Sequence, residues 1–346
     1  MESAKQLGLV PGIKIGSGVI DAYAGWVGSV GAKVDIFEKS IDTEDAENSV
    51  EQAFHRIAVV AGTSTCHLVM SKEPVFAPGI WGPYRDVLLE GRWLAEVLFP
   101  PSYLLTSYHS HTGCLKKGGQ STTGALLHNV LTTHPSYSSA LGQARSVSLS
   151  IFDFLNGHLS ALRTSQKAPS IGYLARHLFF YGDKHGNRSP IADPNMRGAI
   201  VGLSMDSSID DLALQYYSAV EFIAQQTRHI IDVLNKSGHS VTGIFMSGGQ
   251  CKNPLLVELI ADAAGLPVAI PRYIQDAVVL GAAMLGAKAA SANEKGETED
   301  LWSIMDRMSQ GGRVVYPTSD VNVKRLLEAK YEVNIYFHRL QANYNC

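Results

Sequence analysis

Neither sign of charge dominates this chain: 29 lysines and arginines face 32 acidic residues, a formal net charge of -3. So even a balance gives no electrostatic case for a nucleic-acid partner or an anionic membrane surface. Cysteine is sparse too, with four residues (Cys66, Cys114, Cys251 and Cys346). None stands in Cys-x-x-Cys spacing, so neither a zinc site nor a disulfide framework is indicated, and no residue is singled out as a metal ligand. Long apolar runs are missing. The most apolar stretch, Ala277 to Ala287, carries glycines and is too short to span a bilayer. The start, Met1 to Gln6, has no basic region followed by an apolar one, which argues against secretion. No Gly-x-Ser-x-Gly or His-Glu-x-x-His signature supports a hydrolytic enzyme. A soluble, cytoplasmic protein is expected.

What is present is ordinary globular composition, 45% hydrophobic and 18% charged, over 346 residues. That length allows one large domain or two smaller ones. The chain is organised around residues 241–271. A short apolar run, Ile244 to Met246, ends on Ser247-Gly248-Gly249. Asn253 is placed to cap a helix, with Pro254 at its first position, where the missing N–H costs nothing. Apolar residues follow at helical spacing (Leu255, Leu256, Leu259, Ile260), and Gly265 closes the helix. Val268 to Ile270 reads as a second strand. The Gly-Gly turn puts bare backbone N–H groups at a strand's carboxyl end, where phosphate or a nucleotide can bind. A plain tight turn is the other reading.

Several further stretches carry candidate chemistry. Ile13 to Ile20 reads as a strand loosened by glycines, with Asp21 at its end as a helix N-cap. Residues 38–48 form an acidic loop. Two β-rich runs within 56–71 flank Gly62-Thr63-Ser64, a hairpin with hydroxyls at its tip. Cys66 and His67 lie in the following strand, as packed side chains. Pro78 to Tyr84 reads as a rigid aromatic turn. Ala125 to Leu131 and Ile151 to Leu162 read as helices, and Gly198 to Leu203 as a strand. Asp210-Asp211 is read as the cap of a long helix, buried along Leu212, Tyr216, Val220, Ile223, Ile230 and Leu234. Ala277 to Lys288 is a small-residue helix in which Gly281, Ala282 and Ala283 permit close backbone packing. Leu301 to Met308 is a short amphipathic helix.

The run Ser247-Gly-Gly-Gln-Cys-Lys-Asn-Pro-Leu255, then Gly265-Leu-Pro-Val268 and Ala277-Val-Val-Leu-Gly-Ala-Ala283, resembles the adenosine-binding segment of the FGGY carbohydrate kinases. The likeness runs from about residue 6 to about residue 333 and is strongest to the branch that phosphorylates ribulose and related pentuloses. It implies an α/β fold: a single actin-like (ribonuclease H-like) ATPase lobe of the actin/hexokinase/Hsp70 superfamily. ATP and Mg²⁺ are the implied cofactors and a small-molecule sugar, such as a ketopentose, the implied partner. Self-association as a homo-oligomer stays open. Asp21, within Asp-Ala-Tyr-Ala-Gly25, would be the general base, a role compatible with a helix start. Gly62, Thr63, Ser64, Gly248, Gly249 and Asn253 would bind ATP. Glu96, with Asp21, would touch the sugar. Asn187-Arg-Ser-Pro190 looks like the family's Gly-x-Arg-x-Pro loop, with Arg188 either structural or ligand-binding.

The resemblance also marks departures. In the family Glu96 would lead directly into Gly118-Gly-Gln-Ser121. Here residues 97–117 intervene, as a lineage-specific loop or, the favoured reading, as sequence translated from an unremoved intron. Before Asp21 there is no Asp-x-Gly-Thr hairpin of the kind that opens the family's sugar-binding lobe. The expected organisation is therefore residues 1–34 as the end of a first lobe, 35–333 as the nucleotide-binding domain and 334–346 as a divergent tail. With the N-terminal lobe missing, this chain is expected to be inactive alone. The alternative is a non-catalytic actin-like ATP-binding module that pairs with a full-length kinase.

Overall fold

The structure, a computed structural model, describes residues 2–34, 50–96 and 123–344, with side chains through residue 341. The acidic loop 38–48, the insertion 97–117 and residues 118–122 of the Gly-Gly-Gln-Ser stretch lie outside the described residues. After a short helix α1 (Glu2–Gln6), residues 9–20 contain no strand, contrary to the expectation for 13–20. Strand amides need a ladder partner, and this segment lies over a helix instead. A Cβ on Gly16 would sit 3.2 Å from the carbonyl oxygen of Leu285. Ile15 is left 86% exposed.

Helix α2 (Asp21–Val30) follows. Ile20, not Asp21, occupies its N-cap. Asp21 is the first helical residue, and its carboxylate accepts the Ala22 amide at 2.8 Å. An acidic side chain there suits the positive end of the helix dipole. Strands β1 (Arg56–Ala61) and β2 (Thr65–Ser71) form the expected hairpin around residues 62–64. The predicted aromatic turn at 78–84 is a correction: Trp81–Arg85 is strand β3, paired with β4 (Trp93–Glu96). Pro83 is tolerated because β3 is an edge strand with an irregular register between Trp81 and Tyr84.

Helices α3 (Thr123–Thr133), α4 (Tyr137–Ser146), α5 (Ile151–Ser165) and α6 (Ile171–Leu174) come next. A small hairpin of β5 (Phe179–Tyr181) and β6 (Ala199–Val201) separates them from the long helix α7 (Ile209–Lys236). Ser208 caps α7, its hydroxyl accepting the Asp211 amide, so Asp210 and Asp211 occupy the first turn rather than the cap. The predicted stripe from Leu212 to Leu234 is buried. Then come β7 (Gly243–Ser247), α8 (Pro254–Ala264), β8 (Val268–Pro271), α9 (Ala277–Ala290), α10 (Leu301–Met308), β9 (Gly312–Val315) and α11 (Val321–Tyr344). Gly265 ends α8 in the left-handed conformation at φ 65°.

The main sheet has seven strands in the order β3-β4-β2-β1-β7-β8-β9. Its centre, β1, β7 and β8, is parallel, and the flanks are antiparallel. Alternate residues of β1 serve two cores. Ile57, Val59 and Ala61 pack toward α3, α5, α7 and α8, while Ala58 and Val60 pack toward α2, α9 and α10. Covered on both faces, the central strands read as near-continuous apolar runs. Among the described residues no helix is long and apolar enough to cross a membrane.

Two contacts fix the helical layers. On one face α2 and α9 cross at backbone distance. A Cβ on Gly28 would stand 1.9 Å from the Ala277 carbonyl oxygen, and one on Gly281 would stand 1.8 Å from that of Ala24. The close packing expected of Gly281 is thus against the helix that begins with Asp21. On the other face Lys330 of α11 donates to Glu221 of α7 at 2.6 Å and to the Ala175 carbonyl at 2.8 Å. Both side chains are buried, and burial raises the Glu221 carboxyl above its ordinary range against the pull of the ammonium.

Candidate active site

The ends of β1 and β7, neighbours in parallel, carry the two predicted glycine turns. Val60 pairs with Ser247, so Gly62 and Gly248 leave the sheet side by side. Gly248 takes φ 96°, and a Cβ there would lie 2.3 Å from the Ala61 carbonyl oxygen. Glycine is required on both counts. Its amide donates to the Ile274 carbonyl at 2.7 Å. Gly249 is exposed, with nothing within 4 Å of its Cβ position, which leaves room for a ligand against the backbone. A single 3₁₀ turn, Gly249–Lys252, then leads to α8.

The hairpin tip is braced from behind. Gln250 Nε2 donates to the Gly62 carbonyl and, at 2.6 Å, to the Thr123 hydroxyl. Thr123 lies 2.8 Å from the Thr65 hydroxyl. The first amides of α3, from Gly124 and Ala125, donate to the Thr63 carbonyl at 3.1 and 3.4 Å. With its carbonyls engaged by protein, the tip presents the exposed Gly62 and Thr63 and the half-buried Ser64 to the outside. Gly62, Thr63, Ser64, Gly248 and Gly249 therefore come together as one cradle. Gln250 and Thr123 were not anticipated as its braces. Their only sequence signal is adjacency, Gln250 to the Gly-Gly pair and Thr123 to Gly124.

Asn253 stands at the predicted N-cap of α8 but makes no capping bond. Its side chain instead donates to the Tyr216 hydroxyl at 2.8 Å and accepts from Asn156 Nδ2 at 3.0 Å. The Tyr216 hydroxyl donates in turn to Asn156 Oδ1 at 3.2 Å. This triad, with Tyr216 and Asn253 buried and Asn156 half-buried, joins α5, α7 and α8. The structure ties the Asn253 side chain to those helices and not to the cradle.

The remaining predicted residues gather on the α2 face of the sheet. Glu96 pairs across from Leu68, Cys66 pairs across from Val60, and Gly25 of α2 rests on Val60. The first turn of α2, with exposed Asp21, thus lies at the edge where β1 ends. Glu96 is 1% exposed, and burial pushes its carboxyl up to about 7. The Tyr23 hydroxyl and the Arg188 guanidinium oppose that rise, while the Asp21 charge adds to it. Burial lifts the Cys66 thiol to about 11, so it stays protonated. Burial lowers Arg188 to about 10, where it remains charged at neutral pH. His67 points the other way, buried, with one ring nitrogen 3.4 Å from Thr227.

The mixed sheet covered on both faces, with glycine turns at the ends of adjacent parallel strands, has the α/β arrangement of the sugar kinases with the actin-like ATPase fold. Solved structures agree on the fold. A gluconate kinase from Lactobacillus acidophilus superposes with a TM-score of 0.66 at 20% identity, over 99% of this chain and 54% of that one. A xylulose kinase from the same organism gives 0.64 at 19%, with the same coverage. The chain belongs to the FGGY family of carbohydrate kinases, whose C-terminal domain matches residues 57–290. A D-ribulokinase of Saccharomyces cerevisiae is 52% identical over 290 residues, 84% of this chain and 38% of the yeast protein. An FGGY carbohydrate kinase domain-containing protein of Homo sapiens is 36% identical over 99% of this chain and 55% of its own. The chain therefore spans 38% and 55% of the lengths of these two relatives.

Proposed function

We propose that this chain carries the nucleotide-binding lobe and the general base of an ATP-dependent kinase acting on a ketopentose such as D-ribulose. The observation that supports this most is the convergence of two features on one edge of the sheet. Asp21 begins α2 beside the end of β1, and the Gly62–Ser64 and Gly248–Gly249 turns open at the same strand ends. Small residues let backbone N–H groups and hydroxyls approach phosphate oxygens closely. The Asp21 carboxylate would take the proton from the sugar hydroxyl as that oxygen attacks the γ-phosphate. A positioned base of this kind contributes roughly two to four powers of ten in rate.

Mg²⁺ accompanies ATP and takes mostly phosphate and water oxygens. Phosphoryl transfer depends on positioning and charge stabilisation from both sides of a cleft. The sequence contains no second phosphate hairpin of Asp-x-Gly-Thr type, so we expect this chain alone to bind nucleotide without turning over. A non-catalytic ATP-binding module that pairs with a full-length kinase is the second reading. The proposed setting is the cytoplasm, and sedimentation would test the homo-oligomer expectation.

The test is to measure Mg·ATP binding to the chain by calorimetry, then ADP release in the presence of D-ribulose. Binding that Gly248→Val abolishes supports the cradle; no binding by the wild type overturns it. Robust sugar-dependent ADP release would support the kinase and refute inactivity in isolation.

A further inference from the structure

The tip of the β1–β2 hairpin is sorted so that it hides acceptors and presents donors. All three of its carbonyls are taken. That of Gly62 accepts Gln250 Nε2, that of Thr63 accepts the Gly124 and Ala125 amides, and that of Ser64 accepts the Gly62 amide at 2.8 Å. The Thr63 and Ser64 amides, by contrast, make no hydrogen bond among the described residues. Free backbone N–H groups beside engaged carbonyls form a concavity that suits an anion.

Gln250 is what hides the first of these carbonyls. It stands in the turn that follows Gly248 and reaches from the end of β7 across to the end of β1. A carbonyl can only accept, so the amide nitrogen of Gln250 must be the atom that faces Gly62. The same nitrogen donates to Thr123 Oγ1 at 2.6 Å, and Thr123 Oγ1 lies 2.8 Å from Thr65 Oγ1 on the returning strand. A Cβ on Gly124 would come within 2.8 Å of the Gly62 oxygen, so that carbonyl is also packed closely against the start of α3. One side chain therefore ties the turn after β7 to both legs of the hairpin and to the first residue of α3.

Resting on the nucleotide-binding reading above, we propose that Gln250 is a positioning residue for the phosphate chain of the nucleotide. It does not touch the ligand. By holding the Gly62 carbonyl it keeps the tip a donor-only surface, with the Thr63 and Ser64 amides turned to the phosphates. Without its N–H groups the Gly62 oxygen becomes an unengaged acceptor beside the incoming phosphate oxygens, and two acceptors repel. The effect stops at the phosphates. The Gly248 turn, on the adenosine side, is fixed separately by its amide on the Ile274 carbonyl at 2.7 Å and by close approach to the Ala61 carbonyl. Gln250 therefore sets affinity for the triphosphate and not for the nucleoside.

The test compares three ligands, Mg·ATP, inorganic tripolyphosphate with Mg²⁺, and adenosine, on the full chain and on Gln250→Met. That variant keeps the length of the side chain and removes its N–H groups. It should bind Mg·ATP and tripolyphosphate at least about tenfold more weakly than the wild type, the worth of one well-made hydrogen bond. Adenosine affinity should stay within about twofold. In wild-type ¹⁵N spectra, tripolyphosphate should shift the Thr63 and Ser64 amides, and adenosine should leave them still. If Gln250→Met binds tripolyphosphate as well as the wild type does, the assignment falls and the kinase reading stands. A parallel loss of adenosine would make Gln250 a general support of the fold, and the assignment falls again. It falls as well if Mg·ATP binds while tripolyphosphate leaves both amides unmoved. If the wild type binds neither Mg·ATP nor tripolyphosphate, the assignment and the kinase reading fall together. Gln250→Glu has the native shape but sets a carboxylate oxygen against the Gly62 carbonyl. It should lose tripolyphosphate at least as strongly, and it repeats the test should the methionine variant fail to fold.

Discussion

Gly28 of α2 and Gly281 of α9 face each other where the two helices cross, each filling the space a Cβ on the other would claim. A Cβ on Gly28 would come within 2.9 Å of the Gly281 amide nitrogen, and the reverse distance is 3.0 Å. The obstructing atoms are backbone, so a methyl group can be accommodated only by moving a helix. Gly281→Ala should destabilise the fold by about 1–3 kcal/mol or more. Because α2 begins at Asp21, it should also disturb the first turn of that helix. Urea unfolding measures the first effect, and amide shifts of residues 21–24 report the second. Wild-type stability in Gly281→Ala would refute the crossing.

The Asn156–Asn253–Tyr216 triad predicts coupling between three helices. Tyr216→Phe and Asn253→Ala should each cost about 1–3 kcal/mol by leaving a buried partner unsatisfied. Together they should cost less than the sum, since the second change removes a group already orphaned. Additive losses in a double-mutant cycle would show that Asn253 acts elsewhere.

Glu96 sets a pH dependence with a definite sign. Its carboxyl rises from 4.5 to about 7 on folding, chiefly through burial. The folded state therefore holds this proton more tightly than the unfolded chain does. The associated stability is full below the unfolded value and is lost as pH rises through about 7. Relative to Glu96→Gln, the wild type should lose unfolding free energy between pH 5 and pH 8. Parallel stability curves for the two proteins would rule the effect out. The comparison cancels other titrating groups such as Asp183, which burial raises to about 6.

The Lys330–Glu221 pair predicts asymmetry. Lys330→Met leaves a buried carboxylate without its counterion and should cost about 3–5 kcal/mol. Adding Glu221→Leu should recover most of that loss, because two apolar side chains no longer carry a desolvation penalty. Denaturant unfolding of the two variants distinguishes this from simple loss of packing, in which the double variant would be worse.

Much of the fold was legible because local chemistry and the final structure agree. Gly62–Ser64 between two β-rich runs, Pro254 and Gly265 at the two ends of α8, and the stripe from Leu212 to Leu234 all lie where periodicity and turn residues place them. Misreadings arose where a distant partner decides. Ile13 to Ile20 has strand composition but no ladder to join. Pro83 looked like a turn because nothing local reveals an edge strand. Asp210 and Asp211 drew attention from Ser208, which holds the cap. At the site, the family resemblance pointed to Asp21, and to the glycine turns that the residues alone left as plain turns or phosphate sites. Only three dimensions show that Asn253 is engaged by Tyr216, or that Arg188 Nε and Glu96 Oε1 are buried without partners.

The end of the chain matters more than its unfamiliar sequence implies. Helix α11 runs unbroken past residue 334, and Asn334 and His338 are buried. His338 Nδ1 lies 3.2 Å from the Tyr181 hydroxyl, the group that donates to Asp183 beneath the Arg188 loop. The last turns are thus a footing for the loop that carries Arg188. Shortening the protein before His338, or appending a fusion partner that pries this helix loose, would remove that footing while leaving every residue of the loop unchanged.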